Sequence, residues 1–149
     1  ENTFSFVSGT FQNSIENCRY LPFMPAPKLL TEFRADFKKI KNHLRNSYFK
    51  IEIDNTFKQD KVFTAYNTET VTPGYTLINI GLGSEIFNSK NKNLFSVYFT
   101  ASNIGDVAYQ NHLSRLKYAP ENFATGRRGV FNVGRNFAIK LSIPLNVKI

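Results

Sequence analysis

Residues 137–149 read F-A-I-K-L-S-I-P-L-N-V-K-I, with Phe, Ile, Leu or Val at every odd position and a small or polar residue at every even one. A period of two sends alternate side chains to opposite faces of a strand, so this stretch has one apolar and one wettable face. The alternation continues through Ile149, and Arg135 stands just ahead of it in the apolar register. Its span suits the roughly 9–11 residues with which a tilted strand crosses a bilayer. The stretch predicts the closing strand of an outer-membrane-type barrel.

Five upstream segments carry related signals. Residues 28–39 set Leu29, Thr31, Phe33, Ala35 and Phe37 against Glu32, Arg34, Asp36 and Lys38. Residues 47–59 set Phe49, Ile51, Ile53 and Phe57 against Lys50, Glu52, Asp54 and Lys58. Residues 75–87 and 93–104 repeat the pattern, and residues 2–12 are rich in Phe, Val and Thr with a less regular register. The last strand is expected over 129–149. Helical spacing is not sustained anywhere, so an all-β chain of about six antiparallel up-and-down strands is expected.

The connections alternate too. Residues 14–27, 61–74 and 105–128 are long; 41–46 and 88–92 are short. With Ile149 at the periplasmic edge, both short turns fall on the periplasmic side and all three long loops outside, as in membrane barrels. Alternation alone leaves open which face is dry. A soluble antiparallel barrel would turn the apolar register inward and hold a hydrophobic small molecule near Phe33 and Ile51.

The chain has 149 residues and a net charge of +8; 15% are aromatic, with 15 Phe, 7 Tyr and no Trp. No window approaches the roughly 18 apolar residues of a membrane helix. The Lys and Arg residues are spread along strands and loops, with Lys38, Lys39 and Lys41 the densest group. Such diffuse charge suits anionic headgroups or an anionic ligand; a nucleic-acid-binding β-fold is a weaker alternative, and no nucleic-acid partner is expected. Without an initiator Met or a signal peptide, the chain is expected to begin inside something longer. Cys18 stands alone, so neither an internal disulfide nor a cysteine cage is expected.

Three stretches carry a family likeness: PGYTLINIGLGSEIF (73–87), LFSVYFTASNIGDVAYQNHLSRLKY (94–118) and GRRGVFNVGRNFAIKLSIPL (126–145). They resemble late strands of TonB-dependent outer-membrane receptors, closest to the iron-complex type of Bacteroidetes-like receptors. N-I-G-D-V-A-Y, from Asn103 to Tyr109, is similar to the N-L-x-D-x-x-Y signature ahead of that family's final strand. LPFMPAPKL (21–29) resembles a loop-to-strand entry further upstream. The resemblance implies the C-terminal part of a roughly 22-stranded transmembrane barrel with a plugged lumen, in the bacterial outer membrane. It implies import of a ferric siderophore, haem or cobalamin, driven through the TonB system. The plug and the TonB-contacting segment are expected outside this chain, and its last residue is Ile149 where many such barrels end on an aromatic. Six strands alone would leave two unpaired edges in lipid, so the isolated chain is expected to oligomerise or need detergent.

No catalytic site, metal site or cofactor is expected. His43 in a short turn and His112 in the longest loop are read as exposed and unliganded, because a metal needs three or four convergent ligands. Asp36, Glu52 and Asp54 share strand faces with cations, which predicts cross-strand ion pairs. Gly81-Leu82-Gly83 lacks the helix a phosphate loop requires, and is read as a bend or a close approach by another backbone. The longest loop carries Tyr109, His112, Arg115, Lys117, Tyr118, Arg127 and Arg128, a mixture of cations and aromatics suited to an anionic chelate or to lipopolysaccharide phosphates. By the resemblance, Asn103, Asp106, Tyr109, Gly134 and Arg135 are signature positions with a structural role at the strand-to-loop junction.

Overall fold

The computed structural model describes residues 1–41 and 43–145. Six strands, β1 (Asn2–Ser5), β4 (Lys28–Lys41), β5 (Leu44–Thr56), β6 (Tyr75–Phe87), β7 (Asn93–Ser102) and β10 (Asn136–Ser142), form one antiparallel sheet. They lie side by side in that order, and β1 and β10 are its two unpaired edges among the described residues. Two small hairpins sit in the connections: β2 (Thr10–Ile15) with β3 (Cys18–Tyr20), and β8 (Glu121–Asn122) with β9 (Arg127–Arg128). The fold is all-β; no α-helix occurs among the described residues.

The register follows from the alternation. Phe33 pairs with Ile51 and Ala35 with Phe49; Ile51 then pairs with Ile80, and Phe49 with Leu82. Leu82 continues to Phe99, which meets Ile139. Apolar rows thus cross five strands, β4 to β10, on one face, and nothing among the described residues covers them. Phe33 is 64% exposed and Ile139 75%, with Phe37, Leu82, Phe137 and Leu141 exposed beside them. Covering such a face would stabilise by about 1 kcal/mol or more for each large side chain. Phe33 and Leu141 are exposed and Ile53 and Phe99 half-buried, so the four do not share a dry interior among the described residues.

The opposite face is ionic. Lys50 Nζ lies 3.0 Å from Glu32 and 3.3 Å from Glu52, while Asn79 Nδ2 donates to Glu52 at 2.8 Å. Lys28 pairs across to Asp54 at 2.8 Å. Asp36 differs from expectation: its partner, Arg34, is on the same strand. Gly81 and Gly83 also differ, since the neighbours that need their bareness are side chains of the sheet itself. A Cβ on Gly81 would sit 2.9 Å from Lys50 Cγ, and one on Gly83 2.3 Å from the Tyr48 ring and 2.7 Å from that of Tyr98.

Both terminal strands are shorter than the alternation predicts. β1 stops at Ser5 because its partner β4 begins at Lys28, opposite it; ahead of Lys28 stands Pro27, which has no N–H to donate. Residues 6–9 belong to no strand, and 10–12 go instead into β2, the first arm of the β2–β3 hairpin. β10 starts at Asn136 opposite the last residue of β7, Ser102. Residues 129–135 face no strand and are tied into the loop through Gly129 N–H to Ala119 O at 3.1 Å. With seven residues, β10 falls short of the predicted span; Pro144 follows it, and residues 146–149 of the expected strand lie outside the described residues.

All three long connections leave the same end of the sheet, where Ser5, Lys28, Thr56, Tyr75, Ser102 and Asn136 lie. The two short turns occupy the other end. There β5 carries a bulge between Arg45 and Tyr48, with Asn46 in the left-handed region at φ 47°; one class of bulge places its extra residue in that conformation. Most of the buried apolar side chains, Cys18, Met24, Val62, Phe63 and Ala65, belong to the long connections. The packed part of the molecule is its loop end.

Candidate ligand-binding loops

The loops are fastened to one another by buried polar side chains. Glu69 accepts from Phe23 N–H of the first loop at 2.6 Å and from Phe63 N–H of its own loop at 2.8 Å. Gln59 Nε2 donates to the carbonyls of Met24 and Pro25, both at 3.0 Å. The third loop joins through Lys117 Nζ, which donates to Thr70 O at 2.9 Å and to Thr72 Oγ1 at 2.7 Å. Thr70 N–H in turn donates to the Tyr118 hydroxyl at 3.2 Å.

His112 sits inside this cluster, its Nδ1 2.7 Å from Thr72 Oγ1. Lys117 already donates to that hydroxyl, so the Thr72 proton is free to point at Nδ1, which makes Nδ1 an acceptor and puts the ring proton on Nε2. Nε2 is buried without a hydrogen-bond partner among the described residues and faces Glu69 Oε1 at 3.9 Å, too far for a hydrogen bond. Burial depresses the His112 pKa, the Lys117 charge adds to this, and Glu69 opposes both. The imidazole is therefore neutral near pH 7.

The anchoring of the third loop uses the signature positions. Asn103, at φ 48°, closes a ring with Val107: its Oδ1 accepts from Val107 N–H and its Nδ2 donates to Val107 O, both at 2.9 Å. Asp106 Oδ1 accepts from Arg135 N–H at 2.8 Å, joining the start of the loop to the start of β10. Gly134 lies so near that a Cβ there would sit 2.6 Å from the same oxygen. Tyr109 packs on Tyr75 at a tilt, with ring centroids 4.4 Å apart. Gly129 has φ 76°, and a Cβ would come within 2.3 Å of Lys117 O, so only glycine fits.

Of the cations and aromatics expected at a ligand surface, the fold brings some out and turns others in. His112 is 6% exposed and Lys117 7%, which corrects the expectation of an exposed histidine. Packing against Thr72 and Glu69 is the cause: the loop folds back over the sheet end instead of standing free. Tyr118 is half-buried with its hydroxyl engaged. Arg115 is exposed, its guanidinium 5.5 Å from the Phe23 ring. Arg127 lies 5.3 Å from the Phe131 ring, and Arg128 is exposed in the β8–β9 hairpin. At the short-turn end His43 is exposed, with Nδ1 2.9 Å from Phe87 O.

The outward surface also carries residues that pattern reading passes over. Phe23 is exposed in the left-handed region at φ 58°, a conformation that costs a non-glycine residue roughly 1–2 kcal/mol. Glu69 holds it there, and the ring is presented beside Arg115. Tyr66 (φ 55°) and Phe123, 99% exposed at the hairpin tip, add further aromatics. Phe23 and Arg115 make a rim of one aromatic face and one guanidinium group able to hold a planar anion by stacking and charge-assisted hydrogen bonds. No protein family, curated protein or solved structure matches the chain.

Proposed function

We propose that the chain is the C-terminal six-strand portion of an outer-membrane TonB-dependent receptor, a barrel of roughly 22 strands that imports a ferric siderophore or a similar chelate. The observation that carries the reading is the uncovered apolar face: a sheet whose Phe, Ile and Leu rows stay open across five paired strands suits acyl chains as its second layer. Support also comes from the ionic opposite face, which suits a watery lumen, and from the segregation of long connections to one end. In this reading the strands form a rigid wall, the Phe23–Arg115 rim contacts the ligand from outside, and no bond is made or broken. Haem or cobalamin would meet the same rim.

The direct test is light scattering on the purified chain with and without detergent. A monodisperse, detergent-free monomer would overturn the membrane reading. In the intact receptor, alanine at both Phe23 and Arg115 should weaken ligand uptake by about tenfold, from lost stacking and a lost charged contact. Unchanged uptake would remove the rim from the binding surface.

A further inference from the structure

The buried cluster behind the Phe23–Arg115 rim sets the two nitrogens of His112 against opposite charges. Nδ1 shares the Thr72 hydroxyl with the Lys117 ammonium, each 2.7 Å from Oγ1. Nε2 lies 3.9 Å from Glu69 Oε1 and has no hydrogen-bond partner among the described residues. The side chains of His112 and Glu69 are each 2% exposed, so water and salt screen the pair little. Lys117 comes from the same loop as His112 and Glu69 from the second loop. The sheet end adds Lys28 and Tyr75, which line a hollow with His112. Lys28 is paired with Asp54 at 2.8 Å, and a tyrosine phenol is uncharged at neutral pH. The first loop brings Pro25 and Ala26 to that hollow, neither of them titratable.

A proton added to this ring changes both of its contacts. The free lone pair is on Nδ1, so the proton goes there and Nδ1 turns from acceptor to donor. The Thr72 oxygen then has to accept from His112 and Lys117 together, two cations on one hydroxyl. At the other end, Nε2–H becomes a charged donor facing Glu69 Oε1. A movement of roughly 1 Å makes that contact a charge-assisted hydrogen bond. Oε1 is also the oxygen that accepts from Phe23 N–H, whereas Phe63 N–H is held by Oε2. The imidazolium thus competes with Phe23 and leaves Phe63 alone. Phe23 is the residue poised to leave, since its φ of 58° is strained.

We propose that His112 and Glu69 form an acid-sensitive latch on the outer loops. While His112 is neutral, Glu69 Oε1 holds Phe23 beside Arg115; the imidazolium takes Oε1 for itself, and Phe23 is let go. One proton is taken up and no covalent bond changes. The lowered pKa of His112 agrees with this direction. The closed arrangement favours the neutral ring, so closure is complete above about pH 6.5 and acid below that favours the open form. The inference goes beyond the import reading and stands without it, because every group of the latch belongs to the loops.

The test follows hydrogen exchange of the chain in a non-ionic detergent between about pH 7.5 and about pH 5, corrected for intrinsic rates and resolved to single residues by electron-transfer fragmentation. Protection at Phe23 should fall about tenfold on acidification, while Phe63 and the β5 and β6 amides stay within about twofold. H112Q cannot take up the proton and should keep Phe23 protection level within about twofold over the same range. Acid that leaves Phe23 protection unchanged, or that lowers Phe23 and Phe63 together, would overturn the latch. So would an H112Q chain that loses Phe23 protection as the wild type does. Should H112Q fail to fold, the contrast between Phe23 and Phe63 in the wild-type chain decides the matter.

Discussion

Glu69→Gln is the substitution that most directly probes how the loops are held. The carboxylate accepts one backbone N–H on each oxygen, from Phe23 and Phe63, in a site where its side chain is 2% exposed. The amide keeps one acceptor and turns an NH₂ toward the other N–H. One charge-assisted bond is lost and a buried donor is orphaned, worth about 1.5–3 kcal/mol. Local opening should become easier by that amount, which lowers amide protection about ten- to a hundredfold. Hydrogen exchange followed by mass spectrometry, on protein in detergent, reads Phe23 and Phe63 against the β5 and β6 amides as internal controls. The strained backbone at Phe23 should relax with the loss, so its segment should respond most. Unchanged protection at both residues, with the strand amides also unchanged, would show that Glu69 does not fasten the loops.

Other outcomes follow from the same geometry. The His112 pKa is depressed in the fold, so the unfolded chain takes up the proton first; loop protection should hold above about pH 6.5 and fall as pH drops from there toward the lowered folded value, a trend that H112Q should flatten. Gly129→Ala forces a Cβ against Lys117 O at φ 76° and should destabilise by about 1–3 kcal/mol, seen as a lowered denaturation midpoint. S84V alone leaves the Ser47 hydroxyl unpaired in an apolar setting and should cost about 1–3 kcal/mol, whereas S47V leaves Ser84 its bond to Arg45 O and should cost less, and the double variant should cost clearly less than the sum.

The strands were legible where alternation met a partner of equal length. From Phe49 to Ile53 and from Ile78 to Leu82, β5 and β6 keep the two-residue period and pair residue for residue, so their faces could be read directly. The misread ends are those where the pattern outran its neighbour. Val130, Phe131 and Val133 keep an apolar rhythm before β10, yet no strand lies opposite them. A strand boundary is set by the adjacent strand, and that information sits elsewhere in the chain. The loop end was less legible. The cations and aromatics of the third loop were visible as a group, but not which of them turned inward. Glu69 bonds to backbone groups 46 and 6 residues away, contacts that leave no periodic trace. The exposed Phe23 was hidden for a similar reason, since a left-handed φ at a bulky residue is imposed by its tertiary partner.

The interlocking of the outer loops has a mechanical meaning. Because Glu69, Gln59, Thr72 and Lys117 each tie one connection to another, a molecule that pries up any single loop has to strain the others with it. Contact at the rim is thereby converted into a concerted tug on the mouths of neighbouring strands, and the outer end answers a visitor as one piece.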